Sequence, residues 1–175
     1  AAQCGARVIV KPWAGFAAQK QFAVDSASHY WIFSLDADER VSPELKASIG
    51  TLQSKDEASL AGGYRVARRA FYLGRWIRGG GWYPDYQLRL FNRARGHWGE
   101  RVIHESVTMD QGARVETLHG DLLHYSMRDT DHHWQMIAER YAPLGARQML
   151  NDGKRTSPWR ITLAGPAAFA RSFLL

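Results

Sequence analysis

The apolar residues of this chain follow three patterns. RVIV (7–10) is a short apolar run that ends at a turn punctuated by Pro12 and Gly15, and it predicts a central strand. From Phe16 to about Ser28, FAAQKQFAVDSAS spaces its apolar residues near the helical period and predicts an amphipathic helix. HYWIFSL predicts the next strand. Strand, helix and strand within about 30 residues form a βαβ unit, which implies a parallel sheet with a right-handed crossover.

Ser42-Pro43-Glu44 is a helix start, with Ser as N-cap, Pro at the first helical position and an acid in the first turn; the helix is predicted to run to about Gln53. SKDEAS leads to Gly62-Gly63 and a change of pattern. From Tyr64 to Ser126 the period is close to two, in YRVARRAFYLG, YQLRLFNR, ARVETL and DLLHYS, which predicts antiparallel strands added to the parallel sheet. TDHHWQMIAERYA and PWRITLAGPAAFARSF turn helical again, with Pro143 and Gly145 predicted to break or kink the helix between them. There is no internal repeat and no low-complexity segment.

One junction in this pattern is in conflict with itself. In WIFSLDADERVSP the apolar run Trp31–Leu35 leads directly into Asp36, Asp38 and Glu39. Carboxylates at the end of a buried strand repel one another and lose hydration, so something positive or strongly hydrogen-bonding must offset them. In an extended backbone, residues i and i+2 point the same way, so Asp36 and Asp38 would present two carboxylates to one side, about 7 Å apart at their Cα atoms. Mg²⁺ and Mn²⁺ prefer such oxygen ligands, completed by phosphate oxygens and water, and ligands of open α/β sheets sit outside the carboxyl ends of strands. The spacing alone fits equally well a solvated turn into the following helix.

Composition narrows the classes. Of 175 residues, 45% are hydrophobic and 23% charged, as in a soluble globular chain, which argues against wholesale disorder. Seven each of Trp, Tyr and Phe exceed what a small core requires, so some are expected to line a groove. The net charge of +6 points to anionic partners: nucleotides, nucleic acid or acidic lipid. The lone Cys4 excludes an internal disulfide and a cysteine-rich zinc cage, and no run reaches the roughly 18 apolar residues of a membrane span. The opening AAQCGARVIV reads as the middle of an α/β domain, so a fragment is expected.

PWAGFAAQKQFAVDSASHYWIFSLDADERVSPEL, followed by GGYRVARRAFYLGRWIRGGGWYPDYQLRLFNRARGHWGERVIHESV and DLLHYS, resembles in order and spacing the GT-A nucleotide-sugar transferases of glycosyltransferase family 2, in particular the lipopolysaccharide core glucosyltransferase branch. The resemblance covers most of the chain. It implies an α/β GT-A fold with a mainly parallel central sheet, truncated at the N-terminus. Residues 1–128 would be a partial catalytic domain lacking its first nucleotide-binding strand-helix unit, and 129–175 a C-terminal helical segment packed on the domain or on a membrane surface.

The resemblance also implies a divalent cation, Mg²⁺ or Mn²⁺, bridging Asp38 to the diphosphate of a UDP-sugar, with Asp36 nearer the ribose or a metal-bound water. The reaction would be an inverting displacement moving a hexose, glucose, to a lipid-linked or lipopolysaccharide core saccharide, at the cytoplasmic face of the inner membrane. Such a reaction needs a base for the acceptor hydroxyl proton. Glu105 in VIHES is the candidate and Asp85 in WYPDYQLRLF the rival, since a family 2 base is more often Asp. His124, after Leu122-Leu123, matches a position where related enzymes carry a histidine near the metal or diphosphate; a hydrogen-bonded core histidine is the competing reading.

Arg65, Arg68, Arg69, Arg75 and Arg78 interleave with aromatics. Alone, they could form a single-stranded nucleic-acid surface, the alternative from another class. In the transferase reading, Trp76, Trp82 and Tyr83 stack on sugar faces while arginines, Arg89 and Arg93 included, meet the donor diphosphate or a phosphorylated acceptor. A family 2 transferase acting on another polysaccharide is a second alternative. His132 and His133 are adjacent on a predicted helix and are read as solvated. PWRITLAGPAAFARSFLL, apolar with two arginines, could rest on an anionic membrane surface or be a core helix. No nucleophile elbow, P-loop or dinucleotide fingerprint appears, which argues against hydrolase, kinase and Rossmann dehydrogenase readings.

Overall fold

A computed structural model describes residues 2–99, 106–125, 127 and 129–174. Helix α1 spans Phe16–Asp25 and leads into strand β1, Trp31–Phe33. Strand β2, Glu39–Val41, is followed by helix α2, Pro43–Gln53. The strand-rich middle holds β3 (Gly63–Tyr72), β4 (Arg75–Trp76), β5 (Asp85–Asn92), β6 (Gly96–Trp98), β7 (Val107–Met109) and β8 (Val115–His124). Helix α3 (Thr130–Met136) passes through a π-helical turn, Ile137–Tyr141, into α4 (Ala142–Asn151), and α5 spans Pro158–Leu174.

The α2 start forms as its sequence dictates. Ser42 Oγ accepts a hydrogen bond from the Leu45 amide at 3.2 Å, and Pro43 occupies the first turn. The Glu44 carboxyl is held below its ordinary value by its own amide and by Ser42, so the acid stays ionised against the free amides of the helix end. Leu45 then packs with Val66 and Leu122, all three with no exposed surface.

The mainly parallel sheet expected from the sequence is not what forms. The main sheet runs β1-β5-β3-β8-β2, with β4 paired to β3. Among the described residues β3 and β8 are the parallel pair; the other pairings are antiparallel. RVIV is no strand: residues 7–10 find no ladder partner among the described residues, and Val8, Ile9 and Val10 are exposed. A strand exists by pairing, so an apolar run without a neighbour to accept its hydrogen bonds stays an exposed segment. No βαβ unit forms among the described residues.

Leu90 and Phe91 are consecutive in β5 and serve opposite faces. Leu90 packs with Tyr64, Ala61 and Leu52 of α2, while Phe91 packs with Val24 of α1, Trp98 and Val107. Arg93 closes the α1 end, its Nη1 donating to the carbonyls of Val24 at 3.1 Å and Ala27 at 2.7 Å.

Pro143 does not break the helix it was expected to interrupt. It sits in the first turn of α4, directly after the π-helical turn, so its missing N–H and its ring are absorbed where the helical ladder already loosens. Segment 152–171 is exposed throughout, including Trp159, Ile161, Leu163 and Phe169 of α5. No helix among the described residues is long and apolar enough to cross a membrane.

Candidate active site

The acidic stretch after β1 is a turn and not a continued strand. The Glu39 amide donates to the Asp36 carbonyl at 3.0 Å, closing a tight turn, and the Glu39 carboxylate folds back to accept the Asp36 amide at 3.0 Å. The Tyr125 amide, just past β8, donates to the Asp38 carbonyl at 2.9 Å and pins the turn to the neighbouring strand. The extended geometry that would aim Asp36 and Asp38 to one side is therefore lost, and the two carboxylates meet different partners.

Asp36 faces cations supplied by the protein. Its Oδ1 lies 3.0 Å from Lys20 Nζ of α1, and its Oδ2 lies 3.1 Å from Arg89 Nη2. Burial works to raise the Asp36 carboxyl, but Arg89 and Lys20 outweigh it and hold the group below its ordinary value. Glu39 is buried at 5% exposure and sits 2.6 Å from the same Arg89 nitrogen. Arg89 is itself only 3% exposed, and its Nε and Nη1 find no acceptor among the described residues.

Local strand geometry explains how an arginine reaches this spot. Tyr64 pairs with Leu90 and Arg65 with Leu88, so the register skips Arg89, an irregularity of the bulge type that re-aims a side chain out of the ladder. The puzzle of three clustered carboxylates thus has an internal answer. Arg89, Lys20 and Arg68 neutralise Asp36 and Glu39 before any ligand is considered.

Asp38 is left facing outward. Its Oδ2 lies 3.3 Å from His124 Nε2, and its side chain is 47% exposed. Burial and nearby Arg68 hold His124 below the ordinary histidine value, against the opposing pull of Asp38 and Glu39, so the imidazole is neutral near pH 7. A neutral ring nitrogen beside an exposed carboxylate is a donor set suited to a divalent ion that keeps phosphate or water ligands. Asp36 does not fit as a third ligand in this arrangement, because both of its oxygens are in use. No group of three His, Cys, Asp or Glu that could hold a metal occurs among the described residues.

Asp85, the rival base, is also engaged. Arg68 donates to its Oδ2 from Nε at 2.9 Å and from Nη2 at 2.7 Å, and Gln87 donates to its Oδ1 at 2.6 Å. Glu105, the first candidate base, lies outside the described residues. Trp82 meets Tyr72 in a tilted arrangement at 5.6 Å and His133 edge to face at 6.4 Å between ring centroids. His133 is not solvated as expected: its Nδ1 and the Tyr72 hydroxyl are 2.9 Å apart, and the rings meet edge to face.

The arginine-aromatic segment is not one surface. Arg68 pairs with Asp85 and Arg69 with Asp121, while Arg65, Arg75 and Arg78 are exposed. Two of five cations are spent on internal carboxylates on opposite faces of β3, which does not favour a continuous nucleic-acid track. Reading the sequence missed Lys20 and Asp121 as parts of polar sites, and gave Glu39 and Arg68 no partner within the protein. Lys20 and Asp36 belong to different elements, and no local pattern announces their meeting.

The chain is 31% identical over 174 residues to the lipopolysaccharide core biosynthesis glycosyltransferase LpsC of Rhizobium meliloti (strain 1021), covering 95% of this chain and 61% of that protein. It is 26% identical over 180 residues to a protein of Rickettsia prowazekii (strain Madrid E) named uncharacterized glycosyltransferase RP128, covering 98% of this chain and 61% of the relative. An uncharacterized glycosyltransferase of Rickettsia felis (strain ATCC VR-1525 / URRWXCal2) is 27% identical over 186 residues, covering all of this chain and 64% of the relative. The chain thus spans under two thirds of the length of these curated relatives. No family model and no solved structure matches. The curated homologues are named glycosyltransferases, as the resemblance read from the sequence implies.

Proposed function

Starting from this relationship to curated glycosyltransferases, we propose that the protein carrying this chain is a metal-dependent inverting glycosyltransferase that moves a hexose, glucose, from a UDP-sugar to a lipopolysaccharide core or related glycan acceptor. The observation that carries the reading is the Asp38–His124 pair at 3.3 Å, beyond the carboxyl end of β1, with its neutral imidazole and exposed carboxylate. Asp38 and His124 would hold Mg²⁺ or Mn²⁺, which supplies positive charge against the donor diphosphate. Asp36 acts differently from the simplest Asp-x-Asp reading: bound to Lys20 and Arg89, it fixes the turn that presents Asp38.

In this proposal the acceptor oxygen attacks the anomeric carbon opposite the bond to UDP. That bond breaks with its electron pair leaving on the diphosphate, and a carboxylate takes the acceptor proton. Glu105 is the proposed base. The engagement of both Asp85 oxygens by Arg68 and Gln87 supports that choice over the rival.

The segment after Asp152 carries Lys154, Arg155, Arg160 and Arg171 and no acid, beside the exposed Trp159 and Phe169. We place this face on an anionic membrane surface, on the cytoplasmic side of the inner membrane.

Calorimetry of UDP with the full-length protein tests the donor site. Binding in Mn²⁺, abolished by EDTA and by Asp38→Asn, supports the reading; metal-independent binding, or none from a folded protein, sinks it.

A further inference from the structure

A second polar site lies on the other face of β3. Arg68 and Arg69 are consecutive there and point apart. Arg68 meets Glu39 and Asp85 on the His124 side, while Arg69 pairs with Asp121 of β8. Tyr83 Oη donates to Asp121 Oδ1 at 3.0 Å, and the Arg69 guanidinium lies 5.3 Å from the Tyr83 ring centroid. Asp121 is 6% exposed and its amide donates to Ser42 Oγ at 3.2 Å, so this polar floor is held from three sides.

Over that floor opens a cavity of about 570 Å³, bordered by Trp76, Tyr83, Tyr86, His119 and Glu44 as well as Arg69 and Asp121. Its volume is that of a small-molecule site. The charges are close to balanced: Arg69 is already matched by Asp121, and Glu44 adds a carboxylate at the rim. A phosphate or nucleic-acid strand would meet two acids there for one arginine. A neutral polyhydroxy ligand suits it better, with C–H faces against the rings and hydroxyls on the carboxylates, guanidinium and imidazole.

We propose that this cleft binds a saccharide unit of the acceptor glycan, on the face of the sheet opposite Asp38 and His124 and apart from the reacting hydroxyl. The proposal rests on the transferase reading for its choice of ligand, but the cleft does not depend on the metal or the donor. Tyr86, 52% exposed, is the side chain best suited to a stacking platform that can be removed without opening the core.

The experiment uses the full-length protein and deacylated lipopolysaccharide core oligosaccharide as probe, titrated calorimetrically in EDTA, with UDP plus Mn²⁺ titrated separately. The oligosaccharide is expected to bind without metal. Tyr86→Ala should weaken it about tenfold while leaving UDP binding unchanged. Arg69→Lys, which keeps the charge but loses the planar fork, should also weaken it. Asp38→Asn should do the reverse, losing UDP and keeping the oligosaccharide. No oligosaccharide binding by the folded protein, or wild-type affinity in both Tyr86→Ala and Arg69→Lys, overturns the cleft. Absence of metal-dependent UDP binding in the wild-type protein, with the oligosaccharide still seated there, would instead overturn the transferase reading alone.

Discussion

Arg68 and Arg69 are one residue apart, yet they anchor sites of different kinds. On the Arg68 side, the carboxylates of Asp36, Glu39 and Asp85 meet Lys20, Arg68 and Arg89, while Asp38 meets His124. Four acids against three bases leave one negative charge, and the outward-facing Asp38 is where an added cation would be met. On the Arg69 side a single arginine-aspartate pair sits under aromatic rings. Strand alternation alone produces this contrast, since consecutive residues serve opposite faces. A run such as RVARRAF is therefore not one basic patch but two separately neutralised environments.

The contrast can be broken at its most buried point. Arg89→Ala leaves Glu39 without its close cation in a fully buried position, and is expected to cost about 3–5 kcal/mol of stability in urea unfolding. Arg69→Ala leaves Asp121 its Tyr83 hydroxyl and is expected to cost less, about 1–3 kcal/mol. Equal losses would show that the two faces are not energetically distinct.

Gly120 tests the strand that both faces share. Its φ of +98° is one that L side chains rarely adopt, and an added Cβ would lie 2.2 Å from the Leu45 amide nitrogen and 2.7 Å from its Cα. Gly120→Ala should therefore destabilise by about 1–3 kcal/mol and loosen α2 from β8, seen as faster amide exchange at Leu45.

Asp38→Ala sharpens the comparison by touching function and not the fold. Stability should stay within about 0.5 kcal/mol, because the carboxylate is half exposed. Metal-dependent UDP affinity should fall at least about tenfold, or about 1.4 kcal/mol.

The smallest effect concerns pH. The Asp36 carboxyl is lowered in the folded state, so its stabilisation is full above the ordinary carboxylate value and is lost as pH falls through the lowered one. Asp36→Asn should flatten the acid limb of the stability profile. Tyr86→Ala, on the other face, should leave that limb unchanged.

Much of the local structure was legible because its causes are local. The Ser42-Pro43-Glu44 start of α2 needs nothing beyond its own turn, and the period-two runs around 64–72 and 85–92 became β3 and β5 as written. The acidic stretch was recognisable as a site, but its geometry was not. Asp36 and Asp38 were expected to act together, and they part because Lys20 comes from α1 and Arg89 from β5, 53 residues away. RVIV had the composition of a strand and found no neighbour among the described residues to make it one.

Helix starts and alternating segments could be read from short runs of residues, and the family resemblance from the order and spacing of such runs along most of the chain. The tertiary structure decided sheet direction, which carboxylate is neutralised and which is left free, and the pairing of Asp38 with His124. These are settled by strand partners and charges from different elements, as far apart as Asp36 and Arg89 or Asp38 and His124, and no local pattern announces such a pair.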